Sequence, residues 1–336
     1  MVILIISLFF AFLLGFSAHR AGVCTVSAVG ELITSKSARI FLGFFKVILW
    51  VLVINGLATA IMPELARPYA SQALSLPILA GGFIFGVGAA INGGCSFSTI
   101  SKIAQGNLHV ALTLPAFVLG MISYTTISGQ QPMMHSDSPT LPSQGFSVLL
   151  IILVVWALGE LVRIVWTIVK RGDYRSSLRA KRYRLSTGAA LIGICSGFLY
   201  LIHGRWAYSS QIVDYVNGPQ TASVPGMTGI YLVIALLTGA ILSAVSSGQF
   251  RFSFATRDWH KNLAGGFLIR FGAIMIPRNN AKLILQDIPQ FSAHAIPAYL
   301  AMVVGIAITM MAHKYFFGTM EVVNCSGDIC QITRNK

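Results

Sequence analysis

The sequence reads GGFIFGVGAAINGGC at residues 81–95 and GGFLIRFGAIMIPRN at residues 265–279. Aligned without gaps, the two stretches share a pair of glycines, a phenylalanine and a Gly-Ala dipeptide. The matched positions are Gly81, Gly82, Phe83, Gly88 and Ala89 with Gly265, Gly266, Phe267, Gly272 and Ala273. Cys95, at the end of the first copy, falls on Asn279 in the second. Short glycine-interrupted apolar segments at corresponding positions in two halves of a membrane protein point to its binding site, so this repeat predicts where the function lies.

The composition places the chain in a lipid bilayer. Of its 336 residues, 55% are hydrophobic and only 10% are charged, with a mean hydropathy of +0.74, whereas soluble domains carry about 25% charged residues. Apolar runs occupy residues 2–16, 40–62, 78–91, 110–127, 146–168, 189–202, 227–245, 263–276 and 296–311. Because about 20 helical residues cover ~30 Å, the longer runs can cross a membrane unaided. The sequence therefore predicts an all-α polytopic membrane protein with about nine transmembrane helices.

The two runs that overlap the repeat, 78–91 and 263–276, differ from the others, because about 1.5 Å per residue gives them only ~21 Å. A short run that ends at a glycine or proline motif is typical of a broken helix that stops near the membrane midplane. A second, weaker match places Gly22 on Gly248. Amphipathic segments too short to span follow these motifs, at residues 23–35, 96–104, 250–259 and 281–288. We expect them to form short re-entrant or interfacial helices.

The predicted crossings also fix the relation of the two halves. The first-half motif is entered from one side of the membrane and the second-half motif from the other, which predicts two inverted repeats. The half-repeats cover residues 1–168 and 189–313, with a basic cytoplasmic linker at 169–188 between them and a cytoplasmic tail at 314–336.

The net charge of +14 is distributed unevenly along the chain. Residues 170–184 hold seven lysines and arginines, whereas residues 128–145 hold none. This asymmetry is the positive-inside bias of membrane proteins, so the basicity reports orientation and not a nucleic-acid partner. It predicts that the N-terminus lies outside and the C-terminus lies in the cytoplasm. The first apolar run lacks the basic region of a signal peptide, so we expect it to be a span.

Cys24 and Cys95 are the leading candidates for substrate contact. Gly22 precedes the first, and Gly93 and Gly94 precede the second, so both thiols lie at breaks where backbone N–H groups lose their helical partners. Such groups, at the start of a following short helix, suit an anion. A neutral thiol in an apolar pore can donate S–H to an anion without repelling it. The alternative is that each cysteine packs as a small apolar side chain.

Two arginines are candidates for attracting an anion. Arg270 lies midway along the run 263–276, where an arginine costs about 2.5–3.5 kcal/mol and normally faces protein, water or an anion. The alternative is an interfacial arginine whose charged end reaches the headgroups. Arg278 lies beside Asn279 in the second break. With the cysteines and their glycines, these complete the predicted substrate-binding residues: Cys24, Cys95, Gly22, Gly93, Gly94, Arg270, Arg278 and Asn279.

Other chemistry has little support in the sequence. No histidine or carboxylate lies at metal-ligand spacing to Cys24 or Cys95, no phosphate-binding loop is present, and no nucleophile–base pair stands out. We therefore predict no metal, no cofactor and no enzymatic activity. Glu160 and Arg163 are expected to form an intrahelical ion pair, and Cys195 is expected to pack in the core. Cys325 and Cys330 leave three readings open: a thiol pair that accepts sulfur, a redox sensor, or an ordinary tail in which a disulfide is not expected.

The motifs AGVCTV at residues 21–26 and NGGCSF at 92–97 resemble those of the YeeE/YedE family, which includes thiosulfate transporters. The resemblance implies an hourglass-shaped body that passes thiosulfate between cysteines at its waist, two of which match Cys24 and Cys95. The chain departs from the family at 277–280, where Pro-Arg-Asn-Asn replaces the second-half glycine-cysteine motif. A third thiol is thus missing at the aligned position. The tail cysteines are faintly similar to the start of a TusA-type motif, which makes a cytosolic TusA-like sulfur carrier a candidate partner.

Together these features predict a transporter that takes up a small sulfur-containing anion, thiosulfate first, through the lipid bilayer. Either two thiols with an Arg-Asn lip suffice for thiosulfate, or the anion is a different one. A membrane sulfurtransferase that forms a cysteine persulfide is the alternative from another class. A non-transporting subunit of sulfur metabolism is the third, because the second half is degenerate.

Overall fold

The computed structural model describes residues 2–62, 73–128, 143–170, 180–204, 206–208, 211, 224, 227–253, 259–276, 280–318, 321–326 and 329–334. The helices of the first half are α1 (Val2–Ala21), α2 (Thr25–Ser35), α3 (Arg39–Ile61), α4 (Leu76–Ile91), α5 (Ser96–Ala104), α6 (Thr113–Ser128) and α7 (Ser143–Lys170). Those of the second half are α8 (Leu185–His203), α9 (Met227–Ser246), α10 (Trp259–Met275), α11 (Asn280–Lys282) and α12 (Ala295–Phe317). A 3-10 turn (Leu108–Leu112) precedes α6, and a π-helical turn (Leu283–Asp287) follows α11.

Long apolar helices dominate the described part of the chain. Eight stretches there are long and apolar enough to cross a membrane, and two of them join a long helix to a short one, as α1 with α2 and α4 with α5. The one predicted run that is not among these eight stretches, 263–276, falls on α10. The 17 residues of this helix reach only about 25 Å. The prediction of an all-α polytopic membrane protein is confirmed.

The repeated glycines form the contact between α4 and α10. A Cβ added to Gly81 would lie 2.8 Å from the Gly272 carbonyl oxygen, and one added to Gly88 would lie 2.8 Å from that of Gly265. The first matched glycine of each copy thus lies against the last matched glycine of the other copy. The two helices therefore run antiparallel. Small residues allow this backbone approach, which is a common way for helices to associate in a bilayer.

The next helices exchange equivalent contacts. A Cβ on Gly82 would meet the Ala298 carbonyl oxygen of α12 at 2.6 Å, and one on the matched Gly266 would meet the Thr113 carbonyl oxygen of α6 at 3.0 Å. α4 and α10 therefore pack against each other, and each also packs against one further helix of the opposite half. The second sequence match also has a structural counterpart, because Gly22 and Gly248 both adopt positive φ just after α1 and α9.

Polar contacts tie the remaining helices together. Arg20 is buried at the end of α1, where its guanidinium donates to Ser243 Oγ (3.1 Å), Ser246 Oγ (2.8 Å) and the Ala180 carbonyl oxygen of the basic linker. Glu160 on α7 forms the expected ion pair with Arg163 at 3.8 Å. A closer partner, Lys46 of α3, was not expected from the sequence, because it lies 114 residues away.

The tail forms an antiparallel hairpin of β1 (Glu321–Ser326) and β2 (Ile329–Arg334), which packs against α2. Arg39 donates from its guanidinium to the Cys325 carbonyl oxygen at 2.9 Å. The structure has Cys325 in a disulfide, which differs from the sequence-based expectation. The pairing register explains the difference, because it sets Cys325 directly opposite Cys330 on the neighbouring strand.

Candidate functional site

The two predicted pore cysteines meet in a buried cluster to which both halves contribute. The Cys24 and Cys95 sulfurs lie 3.6 Å apart, and the two residues are 4% and 1% exposed. Each cysteine is the N-cap residue of a short helix, Cys24 of α2 and Cys95 of α5, without a side-chain capping bond. Two helix N-termini therefore converge on one pair of free thiols, and each contributes a partial positive charge from its backbone N–H groups.

Glycines and one asparagine shape the two breaks. Gly22 (φ 59°) and Gly93 (φ 68°) are left-handed, a conformation that costs little only without a Cβ. Asn92 fixes the second break, because its amide donates to the Gly94 carbonyl oxygen (3.0 Å) and to Thr99 Oγ1 (3.2 Å). The hydroxyl of Thr113 in turn donates to the Asn92 side-chain oxygen at 3.1 Å. The turn that presents Cys95 is thus held from both sides.

Neutral polar groups surround the thiols. Asn280, at the start of α11, donates its amide to Thr25 Oγ1 at 3.0 Å and brings the second half to the residue after Cys24. The Tyr299 hydroxyl of α12 lies near Thr25 and both thiols. The Tyr208 hydroxyl lies near Ser96, the residue after Cys95. Within the described part of the chain, four buried oxygens here have no hydrogen-bond partner: Ser96 Oγ, Tyr208 Oη, Asn280 Oδ1 and Tyr299 Oη. Buried polar atoms are rarely left unpaired, so these mark a place for a polar ligand or water.

Two basic side chains lie at the glycines that frame the cysteines. Lys102, in the last turn of α5, donates from Nζ to the Gly93 carbonyl oxygen at 2.6 Å. Arg182, from the basic linker, places Nη1 2.9 Å from where a Cβ of Gly22 would lie. Burial lowers the pKa of the Arg182 guanidinium, because the charged form loses hydration. A guanidinium keeps its proton at neutral pH, so an approaching anion would compensate part of this lost hydration.

The cations named from the sequence have a different placement. Arg270 lies on the face of α10 that packs against α6, where its guanidinium is 3.9 Å from Met121 Sδ. Its part in anion binding stays a prediction. Arg278 and Asn279 lie outside the described residues. Lys102 and Arg182 were not expected, because one belongs to a short amphipathic helix and the other to a linker whose charge was read only as a sign of orientation.

The third buried cysteine, Cys195, lies apart from the thiol pair. Cys195 on α8 is free and 2% exposed, packed in an apolar cluster with Val47 and Ile192. Among the residues that the structure describes, no three His, Cys, Asp or Glu side chains are grouped so as to hold a metal ion. The thiol pair therefore stands as a site of two sulfurs and neutral hydroxyl and amide groups, with cations at its edge.

Comparison with known proteins identifies the family of the chain. No curated protein matches the chain. The family model described as sulphur transport matches residues 20–308, a range that contains both cysteines, both breaks and all but the last helical turns of α12. The chain is a multi-pass membrane protein that belongs to this sulphur transport family, the YeeE/YedE family.

Proposed function

We propose that this protein takes up a small sulfur-containing anion, thiosulfate first, across the bacterial inner membrane and into the cytoplasm. The observation that carries the proposal is the contact of Cys24 and Cys95 at 3.6 Å, at the start of two short helices. A relay of thiols needs donors close enough to hand over one ligand without a barrier between them. These two sulfurs are in van der Waals contact.

The anion would be held by hydrogen bonds, not by a strong charge. The S–H groups donate to its oxygen or terminal sulfur atoms, and the first backbone N–H groups of α2 and α5 add their dipoles. Lys102 and Arg182 would raise its local concentration at the edge of the site. Conduction requires binding that is weak enough to reverse, and neutral donors at the narrowest point satisfy this requirement.

We also propose that the two halves are inverted repeats, with the N-terminus periplasmic and the C-terminus cytoplasmic. The antiparallel packing of α4 on α10, with matched glycines exchanging partners, supports the first part. The positive-inside bias of the linker supports the second. The resemblance to the family supports a TusA-like carrier as the cytosolic acceptor of the sulfur.

Uptake of labelled thiosulfate, in cells that lack other routes, tests the proposal. Cys24→Ala and Cys95→Ala should each reduce uptake by at least about tenfold, since each removes one of two donors from the narrowest point. Cys195→Ala is the matched control, because it is equally buried and free but lies in an apolar cluster. If both pore variants transport like the Cys195→Ala protein, the thiol mechanism is wrong.

The same contact supports a sulfurtransferase as the second candidate. A Cys thiolate would attack the outer sulfur of thiosulfate and release sulfite, forming a persulfide on the enzyme. The second thiol would then attack the persulfide, forming a Cys24–Cys95 disulfide and releasing hydrogen sulfide, so that a cellular dithiol must reduce the disulfide before the next turnover. Intact-mass spectrometry after exposure to thiosulfate separates the candidates. An adduct of one sulfur atom, or the loss of two hydrogens on formation of the Cys24–Cys95 disulfide, favours the enzyme. An unmodified, transporting protein favours the transporter.

A non-transporting subunit is the remaining alternative from the sequence. Purified protein in liposomes should move thiosulfate without other proteins if the chain is a transporter. Absence of flux for thiosulfate, sulfite and sulfate, in protein that is folded and correctly inserted, would favour the subunit.

A further inference from the structure

A small, mainly apolar cavity lies against α5, the short helix that follows Cys95. Its volume is about 30 Å³, and its wall combines apolar side chains of α1, α8 and α9 with Trp206, Tyr208 and Gln286. A cavity needs roughly 10–15 Å³ to hold one water, so this one has room for about two. The cavity is thus large enough for two oxygen atoms of a polar ligand but not for a bulky organic one.

Three side chains of the wall carry a buried polar atom without a hydrogen-bond partner among the described residues. Trp206, Tyr208 and Gln286 are 6%, 3% and 5% exposed, and Trp206 Nε1, Tyr208 Oη and Gln286 Oε1 have no hydrogen-bond partner within the described residues. The orientation of the glutamine amide is fixed, because its Nε2 donates to the Trp206 carbonyl oxygen at 3.0 Å. Two donors, the indole N–H and the phenol O–H, therefore remain for a ligand.

Tyr208 belongs to both the cavity and the thiol site. Its hydroxyl lies near Ser96, and Ser96 directly follows Cys95. Phe97 of the same helix also lines the cavity. Tyr208 and the start of α5 therefore connect the thiol site to this cavity.

We propose that the cavity is a second oxyanion-binding station on the path, in which the Trp206 N–H and Tyr208 O–H groups donate to two oxygens of the anion. The inference rests on the proposed transport function. The station carries no lysine or arginine in its described wall, so it binds the oxyanion by dipoles and releases it readily. Gln286 Oε1 would accept from a water that enters with the anion.

Binding of labelled thiosulfate to the purified full-length protein in detergent, by equilibrium dialysis, tests the station separately from the thiols. The Cys24→Ala, Cys95→Ala double variant should lose transport but still bind. Adding Tyr208→Phe or Trp206→Phe to it should weaken binding by about tenfold or more, since each removes one donor and keeps the ring.

Trp50→Phe is the matched control, since its buried Nε1 also lacks a partner among the described residues but lies against Trp156 in a separate cluster. Thermal unfolding of each variant shows whether it is folded, and either of the two cavity variants alone suffices for the test. If both cavity variants bind thiosulfate as tightly as the Trp50→Phe protein, the second station is refuted. The thiol mechanism would be unaffected by that result. Normal transport by the cysteine variants would instead overturn the thiol mechanism.

Discussion

Replacing Gly272 by alanine tests whether the backbone contact between α4 and α10 holds the site in place. The added Cβ would lie 2.5 Å from the Gly81 carbonyl oxygen and 2.6 Å from the Phe85 amide nitrogen. Both are backbone atoms, so no side chain can rotate away. Ordinary contacts begin at 3.4 Å, so the helices must separate by the difference from 2.5 Å, which is 0.9 Å.

Two opposing effects set the size of the change. Overpacking of this kind costs about 1–3 kcal/mol, and the better helix propensity of alanine returns about 0.8–1.0 kcal/mol. We therefore expect a net loss of up to about 2 kcal/mol in the free energy of unfolding. Transport should fall as well, because α4 leads directly into the break that presents Cys95, and an ångström of displacement exceeds the tolerance of a positioned site.

Thermal unfolding in detergent micelles and thiosulfate uptake are the two measurements. Gly159→Ala on α7 is the control, because nothing lies within 4 Å of the added Cβ. It should be neutral or stabilising, so the two alanine variants should shift the unfolding midpoint in opposite directions. Gly81→Ala should act like Gly272→Ala, and the double variant should lose less than the sum, since both push the same interface apart. A Gly272→Ala protein as stable and as active as Gly159→Ala would refute the reasoning.

Three further predictions follow from other contacts. Glu160→Gln should destabilise the protein by about 3–5 kcal/mol, because it leaves the partly buried Lys46 without its carboxylate partner. Arg163→Gln should cost under about 1 kcal/mol, because the Arg163 side chain is 66% exposed. Thermal unfolding of the two variants compares these costs. Arg20→Leu should lower stability by about 3 kcal/mol, since the fully buried guanidinium donates to two hydroxyls and a linker carbonyl, and unchanged stability would contradict that anchoring role. A mild two-electron oxidant should link Cys24 to Cys95 by a disulfide, with each thiol losing one proton and one electron. Peptide mapping of the wild-type protein without reduction should detect this disulfide. Its absence would argue against the 3.6 Å contact between the two sulfurs.

The sequence predicted the parts of the site that depend on repetition and on local backbone chemistry. Glycines at matched positions identified the two short helices, because a missing Cβ matters wherever two backbones touch. Cys24 and Cys95 followed from the same breaks. That these two sulfurs touch each other could not be predicted, since the contact depends on how α2 and α5 fold back across 71 residues.

The residues that sequence reasoning missed share a different property. Lys102 reaches backward along its own short helix to Gly93, and Arg182 reaches inward from a linker. Tyr208 and Trp206 lie between α8 and α9, outside the matched glycine motifs, where periodicity gives no signal. Of these residues, only Arg182 had a signal in the sequence. The concentration of positive charge in its linker indicates attraction for an anion as well as orientation in the membrane.

The second half contributes an amide to the site where a thiol relay would need a sulfur. Asn280 holds Thr25 beside Cys24, and its side-chain oxygen is one of the buried oxygens without a partner in the described structure. An amide can replace a thiol as a hydrogen-bonding group, but it cannot form a persulfide. A covalent path that required a third sulfur would therefore stop at this point, whereas a path built from hydrogen bonds would continue across it. The amide at this position thus favours handing over an intact anion, and a covalent route would be confined to Cys24 and Cys95.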